Sequence, residues 1–275
     1  VTDPARPALA RLASWLRCPV CGRDLEPLDR LTLGCAEGHR HDVNKRGYVS
    51  LLGGGSKLVG DSAEMLDARD VVLEGGAFAP IASAVAAAAQ PAEGSRTLDA
   101  GAGTGYYLRA AVASAPDAIG LAMDLSPAAV ARAARSSARV DGLVADTWRP
   151  LPVRSQNVDV VLDVFAPRNL PEFHRVLRPG GRLVVVVPRA DHLGSLRQAG
   201  TMLDIPTDKA EDVIAAAGAL YAPLTREHVS YALALDDALR VALAGMGPSA
   251  RHADAAPAPA DETTVSVDVL SFEAR

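Results

Sequence analysis

Thr97-Leu98-Asp99-Ala100-Gly101-Ala102-Gly103-Thr104-Gly105 reads as a short apolar strand that runs into a turn with glycine at every second position. Glycine lets the main chain adopt positive φ and lets a ligand approach it closely. Alone, a G-x-G-x-G turn is weak evidence, because dinucleotide sites use a related one. The surroundings sharpen it. Short apolar segments at Thr97–Ala100, Ala118–Met123, Asp141–Ala145, Val158–Val164 and Arg182–Val187 alternate with helical patterns. Several are apolar throughout, as strands covered on both faces must be. Such alternation predicts an α/β fold with a doubly wound, Rossmann-like sheet.

Acidic residues follow the strands. Asp124 comes 19 residues after Gly105, where a carboxylate can take both hydroxyls of a ribose. Asp146 follows the third strand and can accept from an adenine amino group. A dinucleotide would also bring two phosphates to the helix N-terminus. Asp99, just before the glycines, would repel them, and it suits the ammonium end of S-adenosylmethionine. Asp99, Gly101, Gly103, Gly105, Asp124 and Asp146 are thus candidate cofactor-binding residues, and a class I S-adenosylmethionine-dependent methyltransferase is expected.

Upstream, Cys18-Pro19-Val20-Cys21 is a C-x2-C knuckle, and Cys35 and His39 follow as C-x3-H. These are all the cysteines of the chain. Two closely spaced pairs brought together by a hairpin supply a tetrahedral Zn2+ site. A disulfide is disfavoured in a reducing compartment, and a redox C-x-x-C would not need Cys35 or His39. His41 is also within reach as fourth ligand, although His39 suits the turn at Glu37-Gly38 better. With four protein ligands the metal is structural.

The length of 275 residues accommodates a small zinc-binding ribbon module, 1–55, and a methyltransferase domain, 56–275. Pro4 and Pro7 should break any early helix, Gly53–Ser56 should form a hinge, and Asp61 with Glu64 should cap a helix reciprocally. A second helix is expected at Pro80–Gln90, one starting at Ser126-Pro127, and one at Pro171–Leu177. Thr263–Phe272 alternates like an antiparallel edge strand. No apolar run approaches the roughly 20 residues of a membrane span, and the N-terminus shows no secretion signal. A cytoplasmic protein without a membrane partner is expected. Net charge is −5, but residues 1–60 hold nine Lys/Arg against six Asp/Glu, while 61–275 hold 19 against 27. The basic module is either a nucleic-acid handle or an incidental asymmetry of a solvated surface. Aromatic residues are 4% of the chain, so Tyr48, Phe78 and Trp148 are candidate stacking groups.

The chain resembles the large-subunit ribosomal RNA guanine-N1 methyltransferases, including the tylosin-resistance branch. The resemblance runs through Leu16–Cys21, Cys35 and His39, Asp42–Leu52, Gly60–Met65 with Ala68-Arg69, and Leu98–Tyr107. It continues in Val164–Asn169, Arg178–Gly181, Asp191–Leu193 and Met246–Ser249. It implies zinc on Cys18, Cys21, Cys35 and His39, and a homodimer. It implies donor contacts from Gly103, Thr104, His192 and Phe78, the last in place of a usual tyrosine. It implies 23S rRNA as partner, at a guanine in the macrolide-binding region. Asp163, at the tip of the fourth strand, is the candidate acceptor or orienter for the N1 proton. Phe165 or Tyr48 could stack on an extruded base, and Lys45, Arg46 and Arg168 are candidate phosphate contacts. A small-molecule methyltransferase and a catalytically silent RNA-binding protein are the alternatives.

Overall fold

The structure, a computed structural model, describes residues 5–53, 60–198, 205–247 and 261–275. The N-terminal part comprises α1 (Ala5–Trp15), β1 (Glu26–Pro27), β2 (Thr32–Gly34), β3 (Arg40–Asn44) and β4 (Tyr48–Ser50). There follow α2 (Ala63–Glu74), α3 (Ala79–Ala89), β5 (Arg96–Ala100), α4 (Tyr106–Ala113), β6 (Ile119–Asp124), α5 (Pro127–Ser136) and β7 (Val140–Val144). The remainder is β8 (Val158–Val164), α6 (Leu170–Val176), β9 (Leu177–Pro188), α7 (Gly194–Gln198), α8 (Lys209–Ala217), β10 (Tyr221–Ala234), α9 (Asp237–Gly245) and β11 (Glu262–Ala274).

All described strands join one sheet, ordered β1-β2-β3-β4-β7-β6-β5-β8-β9-β11-β10. From β4 to β9 neighbouring strands are parallel. The chain winds outward from β5 in one direction and from β8 in the other, so a crevice opens beyond the C-terminal tips of these two strands. The apolar strands explain themselves by alternation. Leu98, Leu121, Leu143 and Val185 face a core shared with α1, α6 and α8. Ala122, Leu162, Val184 and Val186 face the other side, under α3, α4 and α9. Ser126 caps α5 by accepting from the Ala129 N–H, with Pro127 in the first turn, as its sequence suggests.

Three expectations need correction. Residues 5–15 are helical despite Pro7, because a proline in the first turn removes an N–H that has no helical partner anyway. Helix α2 is capped by Ser62, which accepts from the Met65 N–H, while Asp61 pairs with Arg69 at 2.7 Å. The strand around Thr263–Phe272 is not at the edge, since it pairs with β9 on one side and β10 on the other. Strand β10 escaped notice because its middle, Thr225-Arg226-Glu227-His228, is polar and exposed. The ribbon is tied to the body by its own strands. Strand β4 pairs in parallel with β7, and α1 is pinned to the sheet by Arg11 and the Trp15 indole N–H, both donating to Asp141. The expected hinge falls largely on residues 54–56, outside the described residues.

Candidate functional site

The ribbon gathers its ligands at one end. Cys18 and Cys21 lie on the turn after α1, where the Gly22 N–H donates to the Cys18 carbonyl. Cys35 and His39 flank the β2–β3 turn, closed by the Cys35 N–H donating to the His39 carbonyl. The ligand atoms of Cys18, Cys21, Cys35 and His39 all lie within 4.8 Å of one another. Cys21 Sγ is 3.6 Å from Cys35 Sγ, and Cys35 Sγ is 3.3 Å from His39 Nδ1. A tetrahedral zinc with ordinary bond lengths needs its ligand atoms about 3.5–3.8 Å apart, so the set fits. Burial opposes ionisation of Cys35, but contacts with His39 and Cys21 outweigh it and bring the thiol to about 6. His41 stands outside the four, with Nε2 3.6 Å from Cys18 Sγ.

The second site lies at the tips of β5, β6 and β8. The Gly101 and Ala102 N–H groups both donate to the Met123 carbonyl, and the Gly103 N–H donates to Asp124 Oδ2. This folds the turn over the end of the sheet. Gly101 and Gly103 have φ of +91° and +53°. A methyl group on Gly101 would fall 2.5 Å from the Ala166 side chain, and one on Gly103 2.8 Å from Arg69 Nη1. Positive φ and close neighbours together favour glycine at both positions. The cleft has a volume of about 210 Å³, and Asp99, Gly101, Gly103, Phe78 and His192 line it. Asp99 is 1% exposed, and neither of its carboxylate oxygens has a partner. Burial, with the Asp124 charge nearby, pushes it up to about 8. A buried carboxylate without a hydrogen-bond partner at the bottom of the cleft asks for a cationic ligand.

The other predicted cofactor residues stand around this cleft without lining it. Asp124 is occupied by the Gly103 and Ser126 N–H groups, and so holds the turn. Asp146 accepts from the Trp148 N–H at 2.9 Å. Gly105 is the left-handed cap of α4, and the Thr104 hydroxyl is buried without a partner. His192 Nδ1 accepts from the Ser266 N–H, which leaves its proton on Nε2. Burial, assisted by Arg197, lowers this imidazole to about 4, so it is uncharged at neutral pH.

At the acceptor end Asp163 is fully buried. Burial holds it well above the carboxylate range, and Arg168, 3.7 Å away, opposes that. Phe165 follows in a left-handed conformation, φ +55°, and is 40% exposed. Its ring lies 5.9 Å from His192 and 6.4 Å from Phe78 and Tyr107. Trp148, beyond the tip of β7, is 63% exposed. Tyr48 is buried, its Cβ against Gly142, so it is not placed to stack on a base. Lys45 and Arg46 sit in the β3–β4 turn, next to the N-terminal end of β7. That is the sheet edge opposite the cleft. Sequence reasoning missed Arg69, Tyr106, Tyr107 and Met246, which all line the cleft. The Tyr107 hydroxyl is buried without a partner.

Strand order, glycine turn and unpartnered acid define a class I S-adenosylmethionine-dependent methyltransferase, here with a structural zinc ribbon built into its sheet. Comparison with known proteins agrees. A family described as "Methyltransferase domain" matches residues 97–181, and the zinc-ribbon family "RlmA, N-terminal" matches 16–57. A Streptomyces fradiae protein named 23S rRNA (guanine(748)-N(1))-methyltransferase is 39% identical over 244 residues, 87% of each chain. A Micromonospora griseorubida protein carrying the name of a 23S rRNA (guanine-N(1)-)-methyltransferase is 40% identical over 89% of this chain and 90% of its own. A chain from the complex of the Haloferax volcanii Trm112 methyltransferase activator with a methyltransferase shares the fold. It has a TM-score of 0.51 and 20% identity over 78% of this chain and 98% of that one. The chain belongs to the 23S rRNA (guanine-N1)-methyltransferase family.

Proposed function

We propose that this protein methylates N1 of a guanine in the macrolide-binding part of 23S rRNA. One observation carries the reading. The cysteine-bearing end of the ribbon and the donor cleft lie on the same edge of a single sheet. Strand β3 runs antiparallel to β4, and β4 parallel to β7, so the β2–β3 turn points the same way as the tips of β5 and β8. A module that grips RNA there would present it to the cleft. Residues 1–55 would thus present the substrate and 56–275 perform the transfer, in the cytoplasm and as a homodimer.

S-adenosylmethionine, when bound, supplies a methyl group on a sulfonium with a good leaving group, so positioning carries most of the rate. Asp99 holds the donor's ammonium, and Phe78 and His192 Nε2 wall the cleft beside it. Asp124 fixes the turn and would hold it toward the donor's ribose, and Asp146 would accept from the adenine amino group. Phe165, at the mouth, stacks on the extruded guanine. Asp163, kept uncharged beneath it, acts as an orienter that donates to the base. Arg168 keeps it in place. The N1 proton leaves to solvent.

The test is mass-spectrometric mapping of 23S rRNA from cells with and without the gene, paired with methyl transfer to an rRNA fragment by purified protein. An N1-methylguanine that appears only with the gene is expected. Incorporation into small metabolites but not into rRNA would overturn the proposal.

A further inference from the structure

The cleft carries a second charge, of opposite sign to Asp99, that the proposed mechanism does not use. Asp99 lies at its bottom, and Arg69 of α2 lies on its wall. Among the described side chains that line it, Arg69 is the cation at neutral pH. Its guanidinium rests on the middle glycine of the turn, since a methyl group on Gly103 would come 2.8 Å from Nη1. Two bonds hold it there. Nη1 is 2.7 Å from Asp61 Oδ2, and Nη2 donates to the Met246 carbonyl at 2.9 Å. A guanidinium has five N–H groups in a rigid fork, so three remain beyond these bonds. Asp61 and Met246 therefore preorganise the fork without exhausting it.

The amino-acid end of the donor is a zwitterion. One buried acid without a partner and one oriented guanidinium, set across the same glycine turn, match its two charges. We infer that Arg69 receives the carboxylate of the methyl donor, opposite the Asp99 that receives its ammonium. This rests on the reading of the cleft as the donor's. Arg69 is thus a specificity residue for a donor that carries both charges. A side chain at the middle position of the turn, already disfavoured there by a φ of +53°, would also crowd the guanidinium.

The test uses the full-length zinc-loaded protein without RNA. Affinities of S-adenosylmethionine and of decarboxylated S-adenosylmethionine are measured by calorimetry for wild type, Arg69→Gln and Arg69→Lys. Charge-assisted bonds of this kind are lost at about a 10- to 100-fold cost in affinity. Wild type should bind the decarboxylated donor weaker by that factor. Arg69→Gln should bind the full donor weaker by the same factor, yet bind the decarboxylated donor as wild type does. Arg69→Lys should recover part of the loss, because the charge remains and the fork does not. Equal weakening of both donors in Arg69→Gln would show that Arg69 only supports the wall, and would overturn the inference. So would an unchanged affinity for the full donor. If Arg69→Gln melts too low to assay, Arg69→Lys carries the same comparison. Wild-type protein that binds neither donor would sink the reading of the cleft itself, an outcome separate from either of these.

Discussion

Asp99 carries opposite demands. An acid without hydrogen-bond partners at 1% exposure destabilises the empty protein and serves the loaded one. Its value rises from 3.8 unfolded to about 8 folded. The associated stability is therefore complete below pH 4 and is lost as pH rises through 8, where the folded state must bury a charge. Asp99→Asn removes that loss. The drop in Tm between pH 5 and pH 8.5 should shrink by roughly 2–4 °C for each kcal/mol recovered, while affinity for S-adenosylmethionine falls at least about 10-fold. A variant that loses stability and keeps donor affinity would contradict the assignment. Asp163 is read the same way but with another outcome. As an uncharged orienter it is replaceable by an amide, so Asp163→Asn should keep kcat within about 5-fold while Asp163→Leu loses about 100-fold or more. A base would lose its function in both, and single-turnover methylation of an rRNA fragment decides. These two acids were legible from their places at strand tips. Arg69 was not, because nothing in a single sequence shows that α2 folds back over the glycine turn. Burial removes Tyr48 as a stacking group, and strand direction sets Lys45 and Arg46 on the edge away from the cleft, neither of which residue type reveals.

At the scale of elements, the junction between ribbon and body is the least expected part. Tyr48 of β4 pairs with Gly142 of β7, and a side chain on Gly142 would meet both Tyr48 Cβ and Val130 Cγ1 at 2.6 Å. Glycine in the middle of a fully buried strand otherwise weakens it, so here its smallness admits the neighbouring strand. Gly142→Val should cost about 1–3 kcal/mol as overpacking does, seen as a lower Tm with β4 more open to hydrogen exchange. An unchanged Tm would mean that β4 is not seated on β7. The parallel strands were legible because burial on both faces leaves a continuous apolar run. The ribbon's strands of two to five residues carry no such signal, and only their cysteines marked them. Helix α1 was hidden by Pro7 and the Pro4 that precedes it. What holds it is distant in sequence: Arg11 and Trp15 meet Asp141, the Arg96 guanidinium lies 3.8 Å from the Trp15 ring, and Arg154 donates to the Leu16 and Leu25 carbonyls.

For the whole molecule, direction within the sheet decides which charges can face RNA. Net charge is −5, so long-range attraction is poor and binding must come from a local basic patch. Arg23 and Arg40 are exposed at the zinc end of the ribbon, on the cleft's edge, whereas Lys45 and Arg46 are exposed on the far edge. Each phosphate contact adds about 0.7–0.9 to the slope of log K against log salt. Arg23→Glu with Arg40→Glu should therefore weaken binding of an rRNA stem-loop and flatten that slope by about 1–2, while Lys45→Glu with Arg46→Glu leaves both nearly unchanged. Trp148 belongs to the same surface and works by another force. Exposed at 63% beyond the tip of β7, it offers a stacking plane on the strand-tip edge of the sheet that also holds the cleft. Trp148→Ala should weaken RNA binding about 5- to 100-fold, as loss of one stacked base does, with no change in salt slope or in donor affinity. Filter binding across a salt series separates the two contributions. If the Lys45/Arg46 pair carries the slope instead, RNA lies across the opposite edge of the sheet, and the ribbon cannot be what delivers guanine to the donor.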